Sequence, residues 1–369
     1  MEAPFLATAA FGLEGIVAKE LRRLGIPAKA EQGGARFTGT PAQAYRANLY
    51  LRTADRVLMV LAEREASSFE ALYQLVRDIP WERLLPQDAL IHVGGKCVRS
   101  RLMSVRDCQS VAKKAIVSRL QQVFGMERLP ETGPRFPIEI AVTRDVARVT
   151  LDMSGDALNR RGYRTWNGEA PLRETLAAAL VDLSPWRVSM PLYDPCCGTG
   201  TLLIEAAIKA SGRCAGARRS FACEAYPFMP AGEMRSMRMK ALAAGDGEAA
   251  FSIAGSDIDS EALSLCARHI RQAGFEGRVQ VRREDLRALT LTGPPGVFLL
   301  NPPYGERLGD REHARALYRD LGLLLRRHPG WRMGAITSDP AFERFFGRRA
   351  DQRRRLYNGR LECEFLVFL

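Results

Sequence analysis

The segment Asn301-Pro302-Pro303-Tyr304 brings together residue types that can activate an amine. An amino group on an aromatic base is a poor nucleophile, because its lone pair is delocalised into the ring. The side-chain carbonyl of Asn301 and the main-chain carbonyl of Pro302 can each accept one of its N–H groups and draw the nitrogen toward tetrahedral geometry. That frees the lone pair to attack a methyl donor. Two prolines fix the backbone, so these acceptors stand ready before the reaction. Tyr304 adds an aromatic face on which the base can stack. A plain Asn-Pro turn after a buried strand would show the same four letters. The neighbouring elements have to decide.

Upstream, Leu192-Tyr193-Asp194-Pro195-Cys196-Cys197-Gly198-Thr199-Gly200-Thr201 precedes the apolar run from Leu202 to Ala210. The pattern predicts a strand, a glycine loop and a helix. Gly198 and Gly200 allow positive φ and close backbone approach. The helix N-terminus behind them offers free N–H groups and a positive dipole end to a carboxylate. Leu203 stands where a dinucleotide fingerprint needs its third glycine, and no Gly-Lys-Ser/Thr follows, so nicotinamide, flavin and Walker-type readings are weak. A strand over Phe251 to Gly255 leads to Ser256-Asp257-Ile258-Asp259, where Asp257 is placed to grip ribose hydroxyls and Ile258 to lie on an adenine face. A third strand, Val279 to Arg283, ends at Glu284-Asp285-Leu286, with Asp285 able to bond an adenine amine. The short apolar strand Val297 to Leu300 then delivers Asn301. Asp and Asn populate ordinary turns, but four polar tips in succession fit an open parallel sheet with a ligand along its carboxyl edge.

Together these motifs resemble the S-adenosylmethionine-dependent methyltransferases that act on exocyclic amines. More narrowly, the chain is similar to the bacterial THUMP-domain guanine-N2 methyltransferases of ribosomal RNA. That likeness is carried by Ala7-Thr8-Ala9-Ala10-Phe11-Gly12-Leu13-Glu14, by Ser154-Gly155-Asp156-Ala157-Leu158-Asn159-Arg160-Arg161-Gly162-Tyr163-Arg164, by Asn301 to Gly309, and by Tyr357-Asn358-Gly359-Arg360-Leu361-Glu362-Cys363. The resemblance implies an α/β fold: a C-terminal class I (Rossmann-like) methyltransferase sheet of seven strands with an antiparallel terminal strand, after an α+β ferredoxin-like and THUMP region that binds RNA. The expected boundaries are 1–64, 65–160 and 161–369. It also implies that Asp194, Pro195, Cys196, Gly198, Thr199, Gly200, Asp257, Ile258, Asp285, Leu286 and Asn301 surround the cofactor. Asn301, Pro302, Pro303 and Tyr304 would handle the target base. Some relatives carry a second methyltransferase unit downstream; this sequence stops at Leu369, so only the amine-methylating activity is expected.

A length of 369 residues suggests two or three domains with a substantial core in each. No apolar run approaches the roughly twenty residues that span a bilayer, and Met1 to Phe5 lacks the basic and hydrophobic pattern of a secretory leader. The eight cysteines form no C-x-x-C pair and the four histidines are dispersed. A metal site is therefore not expected, and a reduced, cytoplasmic protein is. Cys196 and Cys197 read as small side chains in a tight loop.

The formal net charge of +12 points to a polyanionic partner, although a bias toward Arg over Lys can also follow codon composition. Leu13 to Leu24 patterns as an amphipathic helix and Gly33-Gly34 as a turn. Leu90 to Val93 reads as a strand, Val105 to Phe124 as a helix, and Val149 to Asp152 as a strand. Lys96, Arg99 and Arg101 precede that helix, and Arg106, Lys113, Lys114 and Arg119 lie on it. Any one such charge fits a solvated helix face. As a cluster ahead of the catalytic region they fit RNA-backbone contacts. Pro171-Leu172-Arg173-Glu174-Thr175 should open a helix, which the resemblance places beside the cofactor. Near the end, Met333 to Thr337 reads as a strand, then a helix, then a hairpin around Asn358-Gly359.

About ten residues follow Asn358, too few for the target-recognition domain that a DNA amine methyltransferase of this motif order carries. Recognition is expected from residues 1–165, which favours RNA over DNA. The expected reaction is methyl transfer to the N2 amine of a guanine in 23S ribosomal RNA. Transfer RNA or an adenine N6 amine are the alternatives within enzymes, and an RNA-binding assembly factor with a vestigial cofactor site is the alternative outside them. Nothing in the sequence fixes the oligomeric state.

Overall fold

Two seven-stranded sheets organise the chain, each built from its own kind of strand pattern. The computed structural model describes residues 2–164, 172–244, 250–304 and 310–369. Residues cluster into two compact units that do not follow chain order. The first holds 1–9, 17–158 and 220–239; the second holds 10–16, 159–219 and 240–369.

In the first unit the elements are β1 (Ala3–Thr8), α1 (Glu14–Arg23, which begins in the other unit), β2 (Ala28–Glu31), β3 (Gly34–Gly39), α2 (Pro41–Tyr50), β4 (Arg56–Glu65), α3 (Phe69–Arg77), β5 (Leu90–Val98), α4 (Val105–Phe124), β6 (Arg135–Thr143) and β7 (Val146–Asp152). Their sheet runs β2-β3-β1-β4-β7-β6-β5 and is antiparallel except for the parallel pair β5–β6. Strand β6 shows why it forms: Phe136, Ile138, Ile140 and Val142 alternate inward with half-buried or exposed neighbours. Helix α4 occupies the span read from the sequence, because both ends are chemically marked. Ser104 accepts from the Asp107 N–H at the start, and Gly125 stops the helix at φ +65°.

The second unit contains α5 (Glu174–Leu183), β8 (Leu192–Asp194), α6 (Thr201–Ser211), the end of α7 (Ala231–Ala243), β9 (Ile253–Asp257), α8 (Ser260–Gln272), β10 (Val279–Arg283), β11 (Val297–Leu300), α9 (Asp310–Arg327), β12 (Arg332–Thr337), α10 (Phe342–Phe346), β13 (Gln352–Asn358) and β14 (Leu361–Phe368). The order is β10-β9-β8-β11-β12-β14-β13. Neighbours from β10 to β12 are parallel, and the last strand, β14, runs against both β12 and β13. This is the expected α/β sheet with an antiparallel terminal strand. Tyr193, Phe298, Leu300, Tyr318, Phe342 and Phe368 form much of the core on one face. All four residues of β11 are buried, as a central parallel strand requires.

Three elements differ from the sequence reading. Strand β5 continues past Val93 through Gly94-Gly95 to Val98, so Lys96 lies in a strand rather than in a loop before α4. Strand β9 sits two residues later than read, because Phe251 stacks edge-on against Phe275 and takes the Arg278 guanidinium over its ring instead of entering the sheet. In the closing hairpin Asn358 still pairs with Leu361, so the two-residue turn is Gly359-Arg360, with Gly359 at φ +66°. Pro171, read as a helix opener, lies outside the described residues; α5 begins at Glu174 after an Arg173 cap.

Candidate active site

Strands β8 and β11 are sheet neighbours although far apart in sequence, and the strand order reverses between them. Ligands in open α/β sheets bind outside the carboxyl ends of the strands at such a reversal. The loops leaving these two strands are the glycine loop and the Asn-Pro-Pro-Tyr turn. A cavity of about 570 Å³ opens there, lined by Asp194, Cys196, Gly198, Thr199, Thr201 and Asn301, with Leu172 and the start of α8 completing it.

The loop after β8 is held by short polar contacts. Cys196 N–H donates to Asp194 Oδ1 at 3.0 Å, and Gly198 N–H donates to Asp257 Oδ2 at 2.8 Å. Gly198 and Gly200 take φ of +49° and +84°. At Gly200 a Cβ would also stand 2.5 Å from Cys266 Sγ, so both conformation and space require glycine. Asp194 is 2% exposed, and burial pushes its carboxyl well above the usual range, with the nearby Asp257 charge adding to the effect. Among the described residues no cationic side chain pairs with it. Desolvation and the Asp194 carboxylate likewise push the Cys196 thiol up, which suits a small loop side chain rather than a thiolate nucleophile.

Asp257 spends both oxygens on backbone, accepting from Gly198 and, through Oδ1, from Asp259 N–H at 3.0 Å. It ties the glycine loop to the end of β9. Ile258 beside it is 64% exposed, a large apolar side chain left open to a flat ligand. Asp285 is paired with Arg287, whose Nε donates to both carboxylate oxygens at 3.0 Å; this holds the carboxyl below its usual range. Leu286 is buried in the core of the unit. Pro195, Gly200, Asp257, Ile258, Asp285 and Leu286 thus stand around the edge without lining the cavity itself.

At the end of β11, Asn301 is half-buried, Pro302 buried and Pro303 exposed. The Tyr304 hydroxyl donates to Asn301 Oδ1, and the Tyr318 hydroxyl from α9 donates to the Pro303 carbonyl at 3.1 Å. The turn is therefore braced from the helix that follows it. Gly305 to Gly309, the rest of that motif, lie outside the described residues.

Residues that sequence reasoning gave no role anchor α6, the helix behind the glycine loop. Glu205 is fully buried; Arg161 Nε approaches its Oε1 at 3.3 Å and the Tyr163 hydroxyl donates to it at 3.1 Å. Burial, with the Glu205 charge, raises the Tyr163 hydroxyl well above its ordinary value. Arg164 donates to Thr201 Oγ1 at 2.5 Å and pairs with Glu174 at 3.5 Å. His269 Nδ1 lies 3.2 Å from the Thr199 carbonyl, its pKa lowered by burial. The sequence signals were a charged residue, Glu205, inside an apolar helix run, and the place of Arg161, Tyr163 and Arg164 in a segment that carries the family likeness. Phe11 packs edge-on against Tyr357 at 5.7 Å, and Arg354 donates to the Gly12 carbonyl at 2.8 Å, so the first and last signature segments meet in this unit.

The cations of the first unit divide into two groups. Lys96 pairs with Glu139 at 3.0 Å, Lys113 with Glu131 at 2.9 Å and Arg101 with Asp145 at 3.8 Å. Arg119 is a brace, forked onto Glu82 with both bonds at 2.8 Å. Arg106 and Lys114 are exposed on α4, and Arg99 sits at φ +49° in the loop before it. Among the described residues no group of His, Cys, Asp and Glu is placed to hold a metal, and no helix is long and apolar enough to cross a membrane.

A family model described as RMKL-like, methyltransferase domain matches residues 161–366; others match an RlmL ferredoxin-like domain at 4–58 and a THUMP domain at 66–152. YpsC of Bacillus subtilis (strain 168), provisionally named an RNA methyltransferase, is 36% identical over 98% of this chain and 95% of its own length. The ribosomal RNA large subunit methyltransferase K/L of Syntrophotalea carbinolica is 36% identical over all of this chain; the chain spans 54% of that protein. Among solved structures, SMU.472, provisionally called a methyltransferase and complexed with SAH, is 38% identical with a TM-score of 0.94, covering 100% of this chain and 98% of its own. A Listeria monocytogenes (str. 4b F2365) protein named, by prediction, an N6-adenine-specific DNA methylase is 39% identical with a TM-score of 0.95, covering 100% and 96%. With a glycine loop and an Asn-Pro-Pro-Tyr turn facing one cavity, and a family match over more than half its length, the chain belongs to the RMKL-like methyltransferases.

Proposed function

We propose that this methyltransferase moves a methyl group from S-adenosylmethionine to the exocyclic N2 amine of a guanine in 23S ribosomal RNA. One observation carries the reading: Asn301 and the glycine-loop residues Asp194, Cys196, Gly198 and Thr199 line the same cavity. When bound, S-adenosylmethionine supplies a methyl group on a positively charged sulfur. The residues present fit that donor. Asp194 is a buried carboxylate with no cationic partner among the described residues, as an incoming ammonium group requires, and the SAH complex of SMU.472 supports the same choice. Asp257, already fixed at the end of β9, would take the ribose. Ile258 and Asp285 would flank the adenine, the latter by exchanging its Arg287 pair.

Asn301 Oδ1 and the Pro302 carbonyl would accept the two amine N–H groups. In the free protein the Tyr304 hydroxyl occupies Asn301 Oδ1, so the base amine replaces it, and the released Tyr304 ring would stack on the extruded base. Tyr304→Phe removes the competing donor and keeps the ring, so kcat is expected to stay within a few-fold. Tyr304→Ala loses base stacking of about 1–3 kcal/mol, roughly a 10- to 100-fold rise in KM. Steady-state kinetics of both variants check this; equal losses in the two would contradict a stacking role.

RNA as substrate is supported by the THUMP match, by the exposed cations of α4 and by the names of YpsC and the K/L protein. A second reading, an adenine N6 amine, is favoured by the name of the Listeria protein, and the same two acceptors would serve it. A transfer assay with labelled donor, offering ribosomal RNA, transfer RNA and DNA in parallel, tests the proposal. Label is expected in ribosomal RNA, and label confined to DNA would overturn it.

Asp194 also makes the site sensitive to pH. Its folded-state pKa is raised, so its contribution to stability is present below the unfolded pKa and lost as pH rises through the folded one. Near neutral pH, the buried carboxylate therefore costs the free protein stability. Asp194→Asn is expected to raise Tm at pH 7 while weakening SAH binding by about 10- to 100-fold, the loss of one charged hydrogen bond. Melting curves and calorimetric titration with SAH measure both effects; unchanged SAH affinity would count against the assignment.

A further inference from the structure

We propose that a row of arginines on α9 and α10 grips the phosphates of the RNA strand next to the target nucleotide; the proposal rests on the RNA reading above and adds where that strand runs. Arg311, Arg315 and Arg319 recur every four residues along α9 and so share one face, about 6 Å apart along the axis. The adjoining face, with Ala314, Tyr318, Leu321 and Leu324, is buried in the core, so the row runs along the rim of that face. Arg344 on α10 joins the row from the side.

Three of these guanidiniums converge on one half-buried ring. Arg319, Arg315 and Arg344 lie 4.9, 5.0 and 5.8 Å from the centre of Phe345. The ring face offsets part of their mutual repulsion, but three like charges around one residue remain a cost that an anion would relieve. Among the described residues a single ion pair touches the row, Arg315 with Asp339 at 3.8 Å, while Arg311, Arg319 and Arg344 are exposed. Surface arginines of this kind serve phosphate well, because the planar fork matches two oxygens at once.

Position links the row to the chemistry. Helix α9 is the element whose Tyr318 holds the Pro303 carbonyl. Asp339 follows β12, the parallel neighbour of β11, at the same carboxyl edge of the sheet. The row therefore lies along the helix that braces the Asn-Pro-Pro-Tyr turn, with Arg315 and Arg319 flanking the bracing Tyr318 in sequence. A strand whose base enters the cavity has its sugar-phosphate chain at this rim. Successive phosphates can then follow the helix, with no sequence read from the bases.

The test is the triple variant R311Q/R319Q/R344Q, which spares Arg315 and its partner. Methyl transfer to ribosomal RNA is measured against RNA and salt concentration, with SAH titrated by calorimetry as the control for an intact donor site. The expected result is a KM for RNA raised about tenfold or more and a salt slope shallower by about two, near 0.7 for each lost contact to a single strand. The kcat and SAH affinity stay unchanged. The matching triple Lys variant keeps the charge and is expected to keep the slope. A Gln variant with wild-type KM and slope would overturn the row alone. A wild-type protein that methylates no RNA would overturn the reading on which the row rests.

Discussion

Asn301→Ala is expected to lower kcat for methyl transfer by about 10²- to 10³-fold, the usual loss when one prepositioned hydrogen-bonding group is removed from a reacting centre. Strand β11 is buried along its whole length, so it presents Asn301 rigidly at the point where the strand order reverses. Pro302 and the Tyr318-braced Pro303 carbonyl restrict the following backbone. Removing the Asn301 carboxamide deletes one of two acceptors without disturbing that frame. The loss should fall on kcat, with the KM for RNA changing far less, because the interaction matters most once the amine is pyramidal. Asn301→Asp retains an acceptor at the same place and should fall between wild type and Ala. A series in which Ala and wild type have equal kcat would remove Asn301 from the chemistry.

The second large effect concerns stability. Glu205→Ala removes the partner of a buried guanidinium and a buried hydroxyl together. Arg161 and Glu205 have side chains only 3% and 0% exposed. Stranding one member of such a pair costs about 3–5 kcal/mol. For a domain near 200 residues that corresponds to a fall in Tm of very roughly 10 °C. The consequence reaches the site because Glu205 lies on α6, whose first residue, Thr201, lines the cavity and accepts from Arg164. SAH affinity should therefore fall with stability. Glu205→Gln keeps the acceptor oxygen and should lose less. Thermal unfolding followed by near-ultraviolet dichroism measures both variants, and a Glu205→Ala melt within 2 °C of wild type, a margin set by the same scale, would show that this cluster is not what holds α6.

The positions of the candidate site that could be located from the sequence are those written at strand tips. Asp194, Gly198, Gly200 and Asn301 could be placed because a short apolar strand followed by glycine or proline leaves the backbone few alternatives. Strands β10 and β11 and helix α4 fall where their patterns put them. The limits of β5 were hidden because Gly94-Gly95 interrupts the apolar alternation, although the register with β6 continues to Val98 paired with Thr143. Strand β9 shifts because Ser256-Asp257 looks like a turn, yet both residues pair with β10 beyond Gly255, where only glycine fits. A Cβ there would stand 2.9 Å from the Asp194 carbonyl and 2.8 Å from Leu203. The Arg161–Glu205–Tyr163 cluster joins residues 42 and 44 apart, and no local pattern announces a long-range ion pair. The grouping of 220–239 with the first unit was likewise invisible, since chain order is all a sequence displays. Charge alone also could not separate cations that brace the fold, such as Arg119, from those left exposed, such as Arg106 and Lys114.

The most direct measurement is nucleoside mass spectrometry on ribosomal RNA incubated with the purified protein and a donor whose methyl group carries a heavy isotope. The account predicts heavy N2-methylguanosine with the wild-type protein and its near absence with Asn301→Ala. Heavy N6-methyladenosine in its place, or an undiminished guanine product from Asn301→Ala, would contradict it.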